Sequence, residues 1–330
     1  MNDEAGQHPY ERLTPDVIIA AVESTGRLSD RRIMALNSYE NRVYQVGLEQ
    51  AQPVIVKFYR PDRWSEAAIE EEHQFALELA AAEIPIVPPI VHEGRTLFEH
   101  ENFRFALFER RGGRWPELGT RAEREWMGRF IGRIHMVGRR RRFQHRGRID
   151  IARMGAESRE YLLSNGWIPP HLEDAYDSLT ADLLDSIREK FGSVRGVEEL
   201  RLHGDCHRGN VLWTDAGPHF VDLDDCLMGP AIQDLWMLLA GSRSEMAEQL
   251  AHLLEGYSQF SSFDHRELVL IESLRTLRMI HYSAWLARRW SDPAFPNAFP
   301  WFVEPRYWEN QILALREQLA AIAEGPLELS

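Results

Sequence analysis

The chain is poor in cysteine and in lysine, and it has no long apolar run. Only Cys206 and Cys226 occur among 330 residues, which excludes a disulfide framework and fits a reducing compartment. Of the 38 basic residues only Lys57 and Lys190 are lysines. A lysine inside an apolar strand of such a chain therefore points to a specific role. No apolar run approaches the ~20 residues needed to cross a bilayer, and the polar N-terminus does not read as a signal peptide. We therefore expect a cytoplasmic protein without a membrane partner.

The chain also lacks the common glycine patterns of nucleotide-binding loops and an excess of positive charge. Neither G-x-G-x-x-G nor a Walker A sequence occurs. The net charge of −13 disfavours general nucleic-acid binding, which depends on neutralising phosphates. A hydrophobic content of 44% over 330 residues favours a globular protein of two domains, or one large bilobal domain.

One stretch, from Leu202 to Asp225, combines short apolar runs with widely spaced polar side chains. Asp205 is followed five residues later by Asn210 and twelve residues after that by Asp222. The segments 211–213 and 220–223 are predicted to be short buried strands, joined by a turn over 215–218. A hairpin closing there would bring Asn210 near Asp222, with Asp205 on the preceding loop.

This arrangement is typical of ATP-dependent phosphoryl transfer to a hydroxyl. Asp205 would orient the attacking hydroxyl and accept its proton, while Asn210 and Asp222 would hold Mg²⁺ against the phosphates, so Asp205 and Asp222 are the predicted catalytic pair. The D-x4-N spacing also matches the catalytic loop of kinases. Two other interpretations are an Asp-rich turn between core strands and a metal cluster built from His203, Cys206 and His207. The cluster lacks a second ligand pair at zinc-site spacing.

Two predicted elements in the N-terminal part point to the same chemistry. Lys57 falls in a predicted strand over 53–59, and kinases place a lysine there to contact the ATP phosphates. A predicted helix over 65–82 carries Glu72 on its apolar stripe, which makes Glu72 the expected partner of Lys57. Glu71 remains a second candidate, and Lys57 could instead extend to solvent from an edge strand.

The ends of this N-terminal part are the other candidates for nucleotide contacts. The polar turn at 36–41 could cover the phosphates through Ser38 and its backbone amides. A composition change at 109–113 marks a domain boundary, which gives an ATP-binding lobe over 1–110 and a catalytic and substrate lobe over 111–330. Phe108 and Arg110 lie in the segment where kinases bind adenine.

The remaining C-terminal sequence is predicted to be mainly helical. Helices are expected over 121–137, 172–191, 229–239, 252–260, 266–290 and 307–324. Asp234 could cap its helix or hydrogen-bond the backbone of the catalytic loop. The basic residues 139–142, with Arg146 and Arg148, form either a solvated loop or a docking patch. The aromatic residues between 285 and 302 are either core packing or a wall of the acceptor site.

Several longer segments resemble the bacterial stress response kinase A family. These segments are LNSYENRVYQ at 36–45, VKFYRP at 56–61, EEHQFAL at 71–77, RLHGDCH at 201–207, FVDLDD at 220–225, DLWMLL at 234–239 and RRWSDPAFP at 288–296. The resemblance is to serine/threonine protein kinases with the aminoglycoside-phosphotransferase fold. In that family the Asn-Ser-Tyr-Glu-Asn segment stands where other kinases have a glycine loop.

The resemblance implies an α+β, bilobal, protein-kinase-like fold, with a small mostly antiparallel sheet lobe containing one key helix and a larger helical lobe. It implies Asp205 as the base, Asn210 and Asp222 as Mg²⁺ ligands, Ser38 at the ATP phosphates and Lys57 paired with Glu72. It also implies a monomer that phosphorylates serine and threonine in proteins, including itself, under stress. Two alternatives stay open: a small-molecule kinase acting on an amino alcohol or aminoglycoside, and a pseudokinase, which the presence of all four motif residues disfavours.

Overall fold

The computed structural model describes residues 8–329, and its N-terminal part is built around one antiparallel sheet. The strands are β1 (Ser29–Ala35), β2 (Arg42–Leu48), β3 (Ala51–Phe58), β4 (Phe98–His100) and β5 (Phe103–Glu109). Their order is β1-β2-β3-β5-β4, so β3 is the central strand. The interpretation of Lys57 as an edge-strand residue is therefore wrong, because Lys57 pairs with Val43 on β2 and with Ala106 on β5.

The two faces of this sheet carry different helices. Val54, Val56 and Phe58 alternate along β3 and are buried beneath helix α1 (Pro15–Glu23). The intervening position, Lys57, faces the other side, where helix α2 (Glu66–Ala81) packs. Ser65 caps α2 by accepting a hydrogen bond from the backbone N–H of Ala68. The alternation along β3 thus directs the lysine to the face that α2 covers.

The rest of the chain is mainly helical. Its helices are α3 (Arg121–Gly138), α4 (Glu157–Ser164), α5 (Glu173–Ser193), α6 (Ile232–Trp236), α7 (Arg243–Tyr257), α8 (Ile271–Arg288), α9 (Ala294–Ala298) and α10 (Pro305–Glu324). Capping boxes start both α3 and α7, which pack against each other. Within residues 8–329 no helix is both long and apolar enough to cross a membrane.

The sheet-and-helix arrangement confirms the predicted α+β bilobal fold class. The sheet ends at Glu109, and the first helix of the helical part begins at Arg121. Between them, Arg114 exchanges two backbone hydrogen bonds with Trp213, at 3.0 and 2.6 Å. The division into 1–110 and 111–330 remains our proposal.

Four short strands frame the motif stretch, and the last two of them in chain order differ from the sequence prediction. Strands β6 (Leu200–Leu202) and β9 (Leu227–Gly229) pair with each other, as do β7 (Val211–Thr214) and β8 (Gly217–Phe220). Strand β8 covers 217–220 instead of the predicted 220–223, and the β7–β8 turn is shorter than predicted, because Gly217, at φ 106°, reverses the chain early. The helix expected from residue 229 begins only at Ile232, because Gly229 belongs to β9 and pairs with Leu200.

The basic segment is not a uniformly solvated loop. Arg139, Arg141 and Arg142 bind Glu198, Glu78 and Glu199. Arg146 is buried, and its guanidinium lies 4.1 Å from the centre of the Trp64 ring. Most of this positive charge is therefore matched within the chain, which argues against a docking patch for an anionic partner.

Both cysteines are free and buried. Burial raises the pKa of both thiols, since a thiolate has no water to solvate it there. In the described part of the chain no group of three or more His, Cys, Asp or Glu side chains could hold a metal. The His203, Cys206 and His207 cluster is therefore excluded as a metal site.

Candidate active site

Lys57 is surrounded by three carboxylates at the junction of the two lobes. Its Nζ atom lies 3.4 Å from Glu72 Oε1, 3.1 Å from Asp222 Oδ1 and 3.0 Å from Asp224 Oδ1. Burial by itself would lower the pKa of Lys57, but Asp222, Asp224 and Glu72 outweigh it and raise the pKa well above its usual value. Lys57 therefore carries a positive charge, held between α2 and the segment after β8.

Asp224 is a member of this cluster that the sequence interpretation did not assign. Its side chain is buried and also bonds Arg63, while its backbone carbonyl accepts from Arg146. Burial opposes the charged form of Asp224, yet Arg63, Lys57 and Arg146 together lower its pKa. The available signal was its position two residues after Asp222, in the run Asp-Leu-Asp-Asp.

Glu71 has a different role from its neighbour Glu72. Its carboxylate accepts backbone N–H bonds from Gln144, His145 and Arg146, at 2.6 to 3.0 Å. It therefore fixes the loop after α3 and points away from Lys57.

The loop that carries Asp205 is held by Asp234, which lies near the start of α6. The two oxygens of Asp234 accept the backbone N–H groups of His203 and Gly204, each at 2.8 Å. His135 on α3 donates its Nε2–H to the same carboxylate at 3.0 Å. Two roles were predicted for Asp234, a helix cap and a hydrogen bond to the loop that carries Asp205. The structure shows the hydrogen bond to the loop.

Gly204 is required in this loop for two reasons. Its φ is +84°, in the region that side chains rarely adopt, and a Cβ there would lie 2.2 Å from the carbonyl oxygen of Asp225. The His-Gly-Asp sequence therefore permits a close crossing of two chain segments, and Asp205 follows directly.

Asp205 is ionised and held from several sides. Asn210 Nδ2 donates to its Oδ2 at 3.1 Å, and His207 Nε2 lies 3.4 Å from the same oxygen. Arg278 NH1 is 2.7 Å from Oδ1, but off the direction of a hydrogen bond, so that contact is electrostatic. Burial disfavours the carboxylate, but His207 and Arg278 outweigh it and lower its pKa. The Oδ1 atom of Asp205 can therefore accept a hydrogen bond from a further donor.

Asp222 lies just outside β8 in an unusual backbone conformation. Its φ is +60°, which is uncommon for a residue with a side chain but is tolerated by aspartate. The preceding Val221 N–H donates to the carbonyl of Asn210 at 3.0 Å, which ties the two motif residues together. Because its side chain is half exposed, Asp222 offers carboxylate oxygen to the cleft.

The cleft between the sheet and the helical lobe has a volume of about 370 Å³. Its polar lining includes Ser38, Lys57, Glu72, Asn210 and Asp222. Its apolar lining comes from both lobes: Val43, Ile55, Ala76, Ile86, Phe108, Leu212 and Leu223. An apolar slot ending in a lysine and two oxygen-bearing side chains suits a planar base with attached phosphates.

Not every predicted nucleotide residue lines this cleft. Ser38 does, and its hydroxyl donates to the Asn41 carbonyl at 3.2 Å. Phe108 does too, with Glu109 and Arg111. Arg110 does not line it, because its side chain turns along the sheet to Gln45 on β2 and donates its Nε–H to the Gln45 Oε1 atom at 2.9 Å.

A second cavity, of about 240 Å³, lies on the other side of Asp205. Its lining includes Gly204 and Asp205 from the catalytic loop and Trp64 from the sheet lobe. Helix α8 contributes Arg278, His281, Tyr282 and Trp285. Asp205 therefore faces one cavity, while Asn210 and Asp222 face the other.

Comparisons with known proteins agree with this geometry. The family model described as Phosphotransferase enzyme family matches residues 32–270. Two curated relatives are the serine/threonine protein kinase RdoA of Salmonella typhimurium strain LT2, at 44% identity, and stress response kinase A of Escherichia coli O157:H7, at 45%. Each alignment covers 100% of this chain and 99% of the relative.

A solved structure supports the fold independently. The amicoumacin kinase hAmiN, in complex with AMP-PNP, Ca²⁺ and Ami, superposes with a TM-score of 0.72 at 19% identity. The match covers 94% of this chain and 95% of that one. The chain therefore belongs to the phosphotransferase enzyme family and, within it, to the stress response kinase A family.

Proposed function

We propose that this phosphotransferase moves the γ-phosphoryl group of ATP to serine or threonine hydroxyls of proteins, including its own. The observation that carries the proposal is the position of Asp205 between two cavities. Asn210 and Asp222 line the larger cleft, whereas Asp205 lines the second cavity and accepts a hydrogen bond from Asn210. A nucleotide and an acceptor could thus meet at Asp205 from opposite sides.

Asp205 would act on the acceptor. Its carboxylate accepts a hydrogen bond from the acceptor hydroxyl and takes up the proton as the new oxygen–phosphorus bond forms. The bond from the γ-phosphorus to the bridging oxygen breaks, and ADP leaves. Asp234 supports this step by fixing the backbone before Asp205. Positioning and charge stabilisation account for most of the rate in such reactions.

The donor set near Asp205 fits a hard divalent cation such as Mg²⁺. Asn210 and Asp222 present amide and carboxylate oxygen to the cleft, and Asn210 donates only through its nitrogen. Mg²⁺ is usually held by one or two such groups together with substrate phosphates and water. When bound, it would neutralise charge on the phosphates. Lys57 would supply a second positive charge, since its ammonium is fixed between Glu72 and Asp224.

The protein acceptor is favoured by the relatives, one of which is named a serine/threonine protein kinase. The second candidate is a small hydroxyl compound, because the amicoumacin kinase shares the fold. The second cavity favours the first candidate. It contains Arg153 and Arg278 beside its aromatic side chains, and those guanidinium groups would repel the ammonium of an amino alcohol or aminoglycoside.

The test is labelled-ATP transfer with the purified protein, alone, with a generic protein acceptor, and with a panel of amino alcohols and aminoglycosides. Wild type should label serine or threonine. Asp205→Asn should bind ATP normally but transfer about 10²–10⁴-fold more slowly. Asp215→Asn, in the exposed β7–β8 turn, is the matched control. Phosphorylation of only the small compounds would reject the protein-kinase function.

A further inference from the structure

The cavity that Asp205 faces is unusually rich in arginine. Four guanidinium groups line it, from Arg63, Arg148, Arg153 and Arg278, against the carboxylates of Asp205 and Asp225. Arg63 is already matched, because it bonds both Asp224 and Asp225. Arginine therefore outnumbers carboxylate in the cavity, although the whole chain is acidic.

Two of these arginines have donors to offer a ligand. Arg153 has no carboxylate within 4.0 Å among residues 8–329, and its guanidinium stacks 6.0 Å from the Trp64 ring centre. Arg278 touches Asp205 through NH1, and its other donors make no hydrogen bond within that same range. A guanidinium presents five N–H donors in a planar fork that matches carboxylate and phosphate geometry.

His281, which lies three residues after Arg278 on α8, also lines this cavity, and its pKa is affected by the same arginines. Burial first, and then Arg153, Arg288 and Arg278, lower the pKa of His281 to about 4. His281 is therefore neutral at pH 7 and adds no charge of its own. The ring nitrogen Nδ1 of His281 forms a hydrogen bond with Ser158 Oγ, at 3.1 Å. The positively charged groups of the cavity are therefore its arginines.

We propose that the acceptor hydroxyl belongs to a serine or threonine flanked by acidic side chains, whose carboxylates Arg153 and Arg278 bind. This inference rests on the proposed protein-kinase function and narrows its acceptor. Trp64, Tyr282 and Trp285 would pack against the peptide, while the arginines select its charge. A carboxylate on Arg278 would also bring the neighbouring hydroxyl close to Asp205, which the same arginine touches.

The experiment uses the full chain with ATP, Mg²⁺ and three serine peptides that differ only in having acidic, neutral or basic flanking residues. We expect kcat/KM for the acidic peptide to exceed that for the neutral one by about tenfold or more. Arg153→Gln should remove most of that preference, and Arg153→Glu should shift it toward the basic peptide. The affinity for ATP should not change, because Arg153 does not line the nucleotide cleft.

Arg188→Glu is the matched control. Arg188 is an exposed arginine of α5 that pairs with Asp185 and lines neither cavity, so its replacement should leave the peptide order unchanged. Equal kcat/KM for the three peptides would overturn the acidic-acceptor inference while leaving the protein-kinase function intact. Labelling of an amino alcohol with no labelling of any peptide or protein would instead overturn the proposed function itself.

Discussion

The indole Nε1–H of Trp285 donates a hydrogen bond to the Glu40 carboxylate at 2.5 Å. Glu40 lies two residues after Ser38, on the segment that lines the larger cleft, whereas Trp285 lines the second cavity, the one that Asp205 faces. Arg60 and Arg289, one from each lobe, bind the same carboxylate. A single side chain, mostly shielded from solvent, thus connects the walls of the two cavities.

Glu40→Gln should therefore weaken ATP and acceptor binding together. It keeps the shape of the side chain but removes the charge that the guanidinium groups share, so we expect KM for ATP to rise about tenfold. Steady-state kinetics against both substrates will measure this. Glu49→Gln, in the exposed β2–β3 turn, is the control, and a KM for ATP that stays at the wild-type value in Glu40→Gln would contradict the coupling.

The chain provides its own control for a substitution of Lys57. Lys57→Arg should lower the transfer rate about 10²–10³-fold, because a planar guanidinium does not reproduce the compact ammonium among three carboxylates. Lys190→Arg, in the last turn of α5 and outside the lining of both cavities, replaces the other lysine and should transfer normally. Turnover by Lys57→Arg equal to that of Lys190→Arg would remove Lys57 from the phosphate site.

Asp222 should govern metal-dependent nucleotide binding. Loss of a group that merely hydrogen-bonds a metal ligand reduces metal affinity about 10–100-fold. Asp222 is proposed as a direct ligand, so Asp222→Ala should weaken Mg²⁺-supported ATP binding by at least that factor. Binding measured by calorimetry with Mg²⁺ and with a chelator separates the two contributions. Unchanged affinity for ATP in Mg²⁺ would show that Asp222 is not a ligand.

Asp234 should control both stability and the rate of transfer. Asp234→Ala leaves the N–H groups of His203 and Gly204 and the buried His135 without their acceptor, which should reduce the free energy of unfolding by about 2–5 kcal/mol. Urea denaturation will measure this loss, with the exposed Asp185→Ala as control. A smaller kcat with an unchanged Kd for ATP should accompany it, since the nucleotide cleft does not contain Asp234.

His73 gives the protein a specific sensitivity to acid. Burial, Lys57 and Arg146 lower the pKa of His73 from 6.5 to about 3, so the folded chain holds it neutral while the unfolded chain takes up a proton. Its stabilising contribution is therefore fully present above pH 6.5 and is lost progressively as the pH falls toward 3. The stability difference between wild type and His73→Gln should shrink over that range, whereas the exposed His171→Gln should show no such trend.

Local periodicity predicts some of this site, and packing decides the rest. Alternation along β3 and the apolar stripe of α2 were enough to direct Lys57 and Glu72 toward each other. No such pattern marks Asp224 or Arg146, because their contacts come from segments that are distant in sequence. The start of α6 was predicted too early for a related reason: Gly229 continues an apolar run, but its pairing with Leu200 makes it a strand residue.

The burial of the two cysteine thiols has a consequence for a kinase of the stress response type. Oxidants such as peroxide attack a thiolate that solvent can reach, and neither Cys206 nor Cys226 provides one. The chain has no other cysteine to form a sulfenic acid or a regulatory disulfide. The folded enzyme should thus keep working at peroxide concentrations that inactivate thiol-dependent enzymes, and a redox signal would have to reach it through something other than its own cysteines.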